Sequence, residues 1–150
     1  MKLDIQTVLT VIGRRKNFFK NKESSHLNLQ TTCFQATHLM NAHLEGADLR
    51  NTHFEGANHI NTHLEETDLM DAHFEESHLS RTHFEGAFLG YAHLEKSYLE
   101  GVDLSNASLK EVKNLIINQL YDVKTLYKAE LDESLRSLLI EKYPTIFDEP

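Results

Sequence analysis

Residues 42–71, AHLEGADLRNTHFEGANHINTHLEETDLMD, decide the fold, because an apolar residue returns in them at almost every fifth position. The register extends over residues 29–109 without an insertion and comprises twelve leucines, four phenylalanines and His59. The residue two positions earlier is Ala, Ser or Thr in every unit except those with Leu27 and Val102. A repeat of five residues is therefore the dominant pattern of the chain.

Neither regular secondary structure buries residues at this spacing. Five residues of an α-helix turn through about 500°, so the apolar positions would spiral over the whole surface. Side chains alternate along a strand, so an odd period would expose every second apolar residue. A chain that turns a corner every five residues places all of them inside. Stacked coils of this kind pair about 4.8 Å apart and form a solenoid.

The units AHLEGADLR, THFEGANHI and VDLSNASLK resemble the A(D/N)LXX repeats of pentapeptide-repeat proteins. The resemblance covers residues 27–111. It implies a mainly β solenoid, a right-handed quadrilateral β-helix with four pentads per coil and about four coils. The sequence departs from the family pattern before the central residue, where histidine often replaces Asp or Asn. These histidines are His38, His43, His53, His63, His73, His78, His83 and His93.

Both ends of the solenoid need a cover, because an open end exposes apolar side chains and unpaired backbone. Residues 1–26 are predicted to form an N-terminal helical cap and a linker. Residues 112–150 are predicted to form a C-terminal cap of α-helices. Its first helix is expected to begin at the capping-box motif of Ser108–Glu111, and its second to begin after Asp132 and to end before Pro144.

Composition narrows the class of function. The net charge of −8 argues against direct binding of nucleic acid, whose affinity rests on Lys and Arg. Cys33 is the single cysteine, which excludes an internal disulfide, and the sequence contains no apolar run long enough to span a membrane. We expect a cytoplasmic protein. Catalytic and phosphate-binding motifs are not found, so we assign no catalytic residue, no cofactor and no enzymatic activity.

Four pentads per coil would stack residues that lie twenty apart. One column then contains His43, His63 and His83, beside Glu45, Glu65 and Glu85. The opposite column contains His53, His73 and His93, beside Glu55, Glu75 and Glu95. Imidazole and carboxylate are ligands of Zn²⁺ and Ni²⁺, but neutral histidines also stack without a metal. We assign no metal site from the sequence and keep these six histidines as candidates.

His59 occupies an inward position. We expect it either to be buried with one polar partner or to be released by a local deformation of the coil.

Two further faces carry apolar residues at outward positions. Met70, Phe88 and Tyr91 are expected on one face, and Met40, Ile60 and Tyr98 on the other. Exposed aromatic residues mark protein-binding surfaces, although the C-terminal helices could also cover these faces.

The favoured function is a rigid, non-enzymatic scaffold that binds an unidentified protein. The resemblance offers a DNA-mimic modulator of DNA gyrase as an alternative, because some members of the family imitate duplex DNA. The negative charge fits this alternative but the short rod does not, unless a homodimer through the C-terminal helices doubles its length. A metal-binding His/Glu surface is the third hypothesis.

Overall fold

A computed structural model of the protein describes residues 27–150, so the predicted N-terminal cap lies outside the described residues. From Asn28 to Lys113 the chain forms a ladder of isolated parallel β-bridges, one in each pentad. The first pair is Asn28 with Asp48 and the last pair of this register is His93 with Lys113. Every such pair joins residues twenty apart, so one turn of the β-helix takes four pentads. Each side of a coil is a single bridge, because the chain turns again before a longer strand can form.

A tight turn forms each corner. The N–H of Ala47 donates to the carbonyl oxygen of Leu44 at 3.0 Å, and equivalent bonds recur along the ladder. The residue before this donor has a positive φ, as at Gly46 (63°) and Asn51 (54°). Glycine and asparagine adopt this conformation readily, which explains their recurrence at the corners. The corner N–H groups also pair with the next coil, since Gly46 donates to the Glu65 carbonyl at 2.9 Å.

The seventeen central residues of the pentads fill the interior, and each is at most 4% exposed. Phenylalanine rings stack along one side, with ring centroids 5.4 Å apart for Phe34 and Phe54 and 4.9 Å apart for Phe54 and Phe74. From Ala47 onward the small residues two positions earlier are also buried. Their hydroxyls bond to backbone carbonyls, as when Thr62 donates to Leu39 at 2.8 Å. Small side chains are therefore needed where two inward positions of a narrow coil meet.

His59 is fully buried in the interior, and the coil does not deform to release it. Its ring meets Phe54 and Phe74 edge-on, at centroid distances of 4.7 and 5.5 Å. Neither ring nitrogen has a hydrogen-bond partner among the described residues, so the expectation of one polar partner is wrong. Burial lowers the pKa of His59 from its usual 6.5 to about 3, which keeps the imidazole neutral.

The chain after Leu109 differs from the predicted helix. The segment that follows Ser108 continues the solenoid: Asp103 pairs with Thr125 and Ser108 with Glu130, in a register shifted by two residues. A short 3-10 helix, Ile117–Gln119, lies between Lys113 and Thr125, where the two extra residues are accommodated. The capping-box motif at Ser108 fails as a helix start because its backbone is already paired with the coil below. Parallel pairing therefore extends past the expected boundary at residue 111.

Helix α1, Glu133–Lys142, lies where the apolar spacing after Asp132 predicts one. A 3-10 helix, Pro144–Phe147, follows it. Leu139 of α1 is fully buried, and Ile146 and Phe147 pack against the same core. The N–H of Leu126 donates to the Ile146 carbonyl at 2.8 Å, so the C-terminal segment covers the last coil partly by backbone pairing.

An ion pair joins the last coil, which contains Lys124, to the coil before it, which contains Asp103. Lys124 Nζ donates to Asp103 Oδ2 at 2.8 Å, and Ser105 donates to Oδ1 of the same carboxylate through its N–H and its hydroxyl. Burial alone would raise the pKa of Asp103, but these hydrogen bonds outweigh it and hold the pKa below its ordinary value. The carboxylate therefore contributes stability above its unfolded pKa of about 3.9 and loses it as the pH falls through the lower folded value.

Lys124→Met should lower the free energy of unfolding by about 1–2 kcal/mol at pH 7, because the buried Asp103 carboxylate loses one charged donor. The loss is no larger because solvent reaches the Lys124 ammonium in the wild type and screens the pair. Urea denaturation followed by circular dichroism measures this. Lys110→Met is the matched control, since Lys110 pairs with Glu130 at 2.9 Å on the exposed surface. Equal effects of the two substitutions would contradict a fastening role for Lys124.

Candidate functional site

Two columns of stacked imidazoles run along two faces of the β-helix. The first column consists of His43, His63 and His83, and the second of His53, His73 and His93. Within each column the neighbours are bridge partners twenty residues apart. Their ring centroids lie 4.4 to 4.8 Å apart and their planes deviate by at most 13°. The sequence predicted the membership of both columns, and the backbone ladder sets their spacing.

A glutamate two residues later binds the ring in five of the six cases. The Nδ1–Oε1 distances range from 2.7 Å for His43 with Glu45 to 3.1 Å for His83 with Glu85. His93 is the exception, because its Nδ1 lies 3.7 Å from Glu75 of the preceding coil. The pairs are local in sequence, because the histidine and the glutamate flank an inward central residue and side chains alternate along an extended segment.

Four of these glutamates hold one carboxylate oxygen away from solvent. The Oε2 atoms of Glu55, Glu65, Glu75 and Glu85 are buried without a hydrogen-bond partner among the described residues. Burial alone would raise the pKa of Glu55, but hydrogen bonds from His53, its own backbone and Gln35 lower it on balance. A charged oxygen buried without a donor is costly, so these four positions favour an additional positive charge or donor.

Four His–Glu–His groups have ligand atoms that all lie within 4.8 Å of one another. These groups are His43–Glu45–His63, His63–Glu65–His83, His53–Glu55–His73 and His73–Glu75–His93. The middle histidine of each column belongs to two groups. The remaining outward histidines differ: His38 is exposed, and His78 stacks on Tyr98 at 4.7 Å.

Most of the predicted apolar surface residues are exposed. Phe88 is 56% exposed and Tyr98 57%, and Met40, Met70 and Tyr91 are also exposed, whereas Ile60 is half-buried. Lys113 lies 5.1 Å from the Tyr91 ring, whose hydroxyl donates to Glu111 at 2.8 Å. Tyr91 is thus already engaged within the molecule.

The face of Tyr98 continues into an open groove of about 680 Å³ between the last coils and the C-terminal segment. His78, Tyr98, Tyr121 and Asp122 line it. Gln119 fixes one wall, because its amide donates to the Leu94 and Ser97 carbonyls at 2.8 and 3.0 Å. Sequence reasoning missed Tyr121, which is 59% exposed, because the segment around it was assigned to a covering helix.

The family model of the pentapeptide repeat region matches residues 37–113. The chain belongs to the pentapeptide-repeat family. Solved structures of this family share the fold. A pentapeptide-repeat protein from the thylakoid lumen of Arabidopsis thaliana has a TM-score of 0.60 and 21% identity, over 82% of this chain and 85% of that one.

A trypsin-treated form of QnrB1, a plasmid-mediated fluoroquinolone resistance protein, also has a TM-score of 0.60. It is 22% identical to this chain, and the match covers 81% of this chain and 59% of QnrB1. Likenesses at this level of identity show the pentapeptide-repeat fold alone. Among proteins of curated function, none matches this sequence. No helix in residues 27–150 has the length and apolar character that crossing a bilayer requires.

Proposed function

We propose that this pentapeptide-repeat protein is a non-enzymatic scaffold that binds another protein through the groove beside Tyr98. The observation that carries the proposal is the pair of exposed tyrosines, Tyr98 and Tyr121, that line one concave surface. Tyrosine supplies a large contact area and a polar tip, and it is enriched at the centres of protein interfaces.

The groove is built for binding with little ordering cost. The Tyr98 backbone is a rung of the ladder, since Tyr98 N–H donates to the Ser77 carbonyl at 3.0 Å. Its ring rests on His78, which limits its rotation. A preorganised surface loses little entropy on association, so a modest contact area is sufficient for specific binding. Lys96, Glu100 and Asp122 at the margin supply charges that orient a partner.

A DNA-mimic function receives less support from the surface. A mimic of duplex DNA must present free carboxylates, but histidines engage five of the six glutamates in the two columns. On a third face, two hydrogen bonds from Arg50 lower the pKa of Asp48 to about 2. The positive guanidinium of Arg50 then offsets the negative charge of this carboxylate. The homodimer hypothesis and the cytoplasmic location stay predictions.

Tyr98→Ala should weaken binding of the partner at least about tenfold, which corresponds to about 1.4 kcal/mol at a central interface position. Affinity capture from the source cells with wild type, Tyr98→Ala and Phe88→Ala as baits measures this, with each recovered protein quantified. Phe88→Ala is the matched control, because Phe88 is equally exposed but lies on another face. A partner that is lost with Phe88→Ala and retained with Tyr98→Ala would overturn the assignment to the groove.

A further inference from the structure

We propose that each histidine column binds one divalent transition-metal ion, with Zn²⁺ the best match, through two imidazoles of adjacent coils and the glutamate between them. The proposal is separate from the protein-binding groove, which lies on another face. In the second column the best-defined site is His73, Glu75 and His93. In the first column it is His63, Glu65 and His83.

The geometry at Glu75 is close to that of a metal centre. Its Oε1 lies 3.0 Å from Nδ1 of His73 and 3.7 Å from Nδ1 of His93. Two ligands of a tetrahedral zinc ion with bonds of about 2.0–2.2 Å lie roughly 3.3–3.5 Å apart. One carboxylate oxygen thus already lies between two ring nitrogens at nearly the separation that a shared ion requires. The three ligand atoms lie within 4.8 Å of one another, and rotation of the two stacked rings would direct their lone pairs at a shared ion.

The buried carboxylate oxygens point independently to a cation. Glu65 and Glu75 each keep Oε2 out of solvent without any donor among the described residues. A metal ion bound to the carboxylate supplies the positive charge that is missing beside these oxygens, because carboxylates bind zinc through one or both oxygens. The side chains of His73, Glu75 and His93 remain 28 to 32% exposed, so an ion can enter and water can complete the coordination.

The proton balance is simple. In the absence of metal, the imidazole N–H at Nδ1 donates to the glutamate, and metal binding at Nδ1 requires the tautomer with its proton on Nε2. In residues 27–150, no Nε2 atom of a column histidine is buried without a hydrogen-bond partner. Solvent can therefore exchange the proton on Nε2. Imidazole and carboxylate together select Zn²⁺, Co²⁺, Ni²⁺ or Cu²⁺ over Mg²⁺ and Ca²⁺, which prefer oxygen ligands alone.

The arrangement fixes the stoichiometry. The two groups of the first column share His63, and the two groups of the second share His73. Since one Nδ1 binds one ion, each column holds a single ion and the chain holds two. Loss of a shared histidine removes the column's site, whereas loss of His43 leaves His63, Glu65 and His83 in place.

Isothermal titration of tag-free protein with ZnCl₂ tests the proposal, with the Co²⁺ absorption spectrum as a second readout of tetrahedral nitrogen and oxygen ligands. We expect the wild type and His43→Ala to bind two ions each. His63→Ala and His73→Ala should each bind one ion, and the variant that combines His63→Ala with His73→Ala should bind none. Glu75→Gln should weaken binding to the second column at least about tenfold, as changes around metal ligands do.

His38→Ala is the matched control, because His38 is an outward histidine that belongs to no His–Glu–His group among the described residues. It should still bind two ions. The circular dichroism spectrum of every variant establishes that the β-helix is intact. A wild type that binds no Zn²⁺, a stoichiometry unchanged in the His63→Ala, His73→Ala double variant, or an equal loss in His38→Ala would overturn the proposal.

Discussion

Phe74→Ala should lower the free energy of unfolding by about 3–5 kcal/mol, the range for truncation of a fully buried aromatic residue. Phe74 is 0% exposed and stacks on Phe54 with a centroid distance of 4.9 Å. It also meets Phe84 edge-on at 6.0 Å. The coils cannot close over the resulting cavity, because the backbone ladder holds them at a fixed spacing. Rigid surroundings place the cost toward the upper part of the range.

Urea denaturation measures the effect, and Phe88→Ala is the control with the same change of side chain on the surface. Phe88 is 56% exposed, so its truncation should change stability by less than about 0.5 kcal/mol. A loss below about 1.5 kcal/mol for Phe74→Ala would contradict the close packing of the interior.

His59→Leu should raise the free energy of unfolding by about 1–3 kcal/mol at pH 7, because it removes two buried ring nitrogens that lack hydrogen-bond partners. Leucine suits the position, since Leu39 and Leu79 occupy it in the coils on either side and both are buried. The substitution therefore continues an existing leucine column instead of creating a cavity.

The advantage of leucine should increase as the pH falls. The folded protein keeps His59 neutral to about pH 3, whereas the unfolded chain binds a proton below about pH 6.5. Acid thus favours the unfolded chain of the wild type by about 1.4 kcal/mol for each pH unit between these values, and the variant lacks this term. At pH 5 the difference should exceed its value at pH 7 by about 2 kcal/mol.

Urea denaturation of both proteins between pH 5 and 8 tests this pH dependence. His38→Leu is the control, because it makes the same change of side chain at an exposed histidine. A constant difference for His59→Leu would show that His59 gains a polar partner or becomes protonated in the folded protein.

The sequence was sufficient to predict the interior of the β-helix. An apolar residue at every fifth position has one physical solution, and the structure buries all seventeen of these positions, His59 included. The membership of the two histidine columns also required the four pentads per coil that the resemblance to pentapeptide-repeat proteins implies. The register placed glutamates beside the histidines, but it did not show the approach of Glu75 to His93 of the next coil, which depends on side-chain rotamers.

In the C-terminal region, the spacing of apolar residues did not predict the secondary structure correctly. Val112, Leu115 and Leu120 have helical spacing, yet this segment continues the coil with an insertion of two residues. Leu126 and Leu131 then extend the core without a repeat motif around them. Backbone groups already exposed at the last regular coil favour pairing over an isolated helix, and local propensity cannot represent this preference. Tyr121 and its groove were missed for the same reason.

The ladder of identical rungs has a consequence for the evolution of this protein. Between residues 28 and 113, every bridge joins a block of twenty residues to the block directly before or after it. Copying one internal block within the gene would lengthen the rod by about 4.8 Å and leave every other contact unchanged. The copied block would bring its own histidines and glutamates, so both columns would grow in step with the rod. Length and surface chemistry are therefore inherited together, and selection can change the number of His–Glu–His groups without changing the fold.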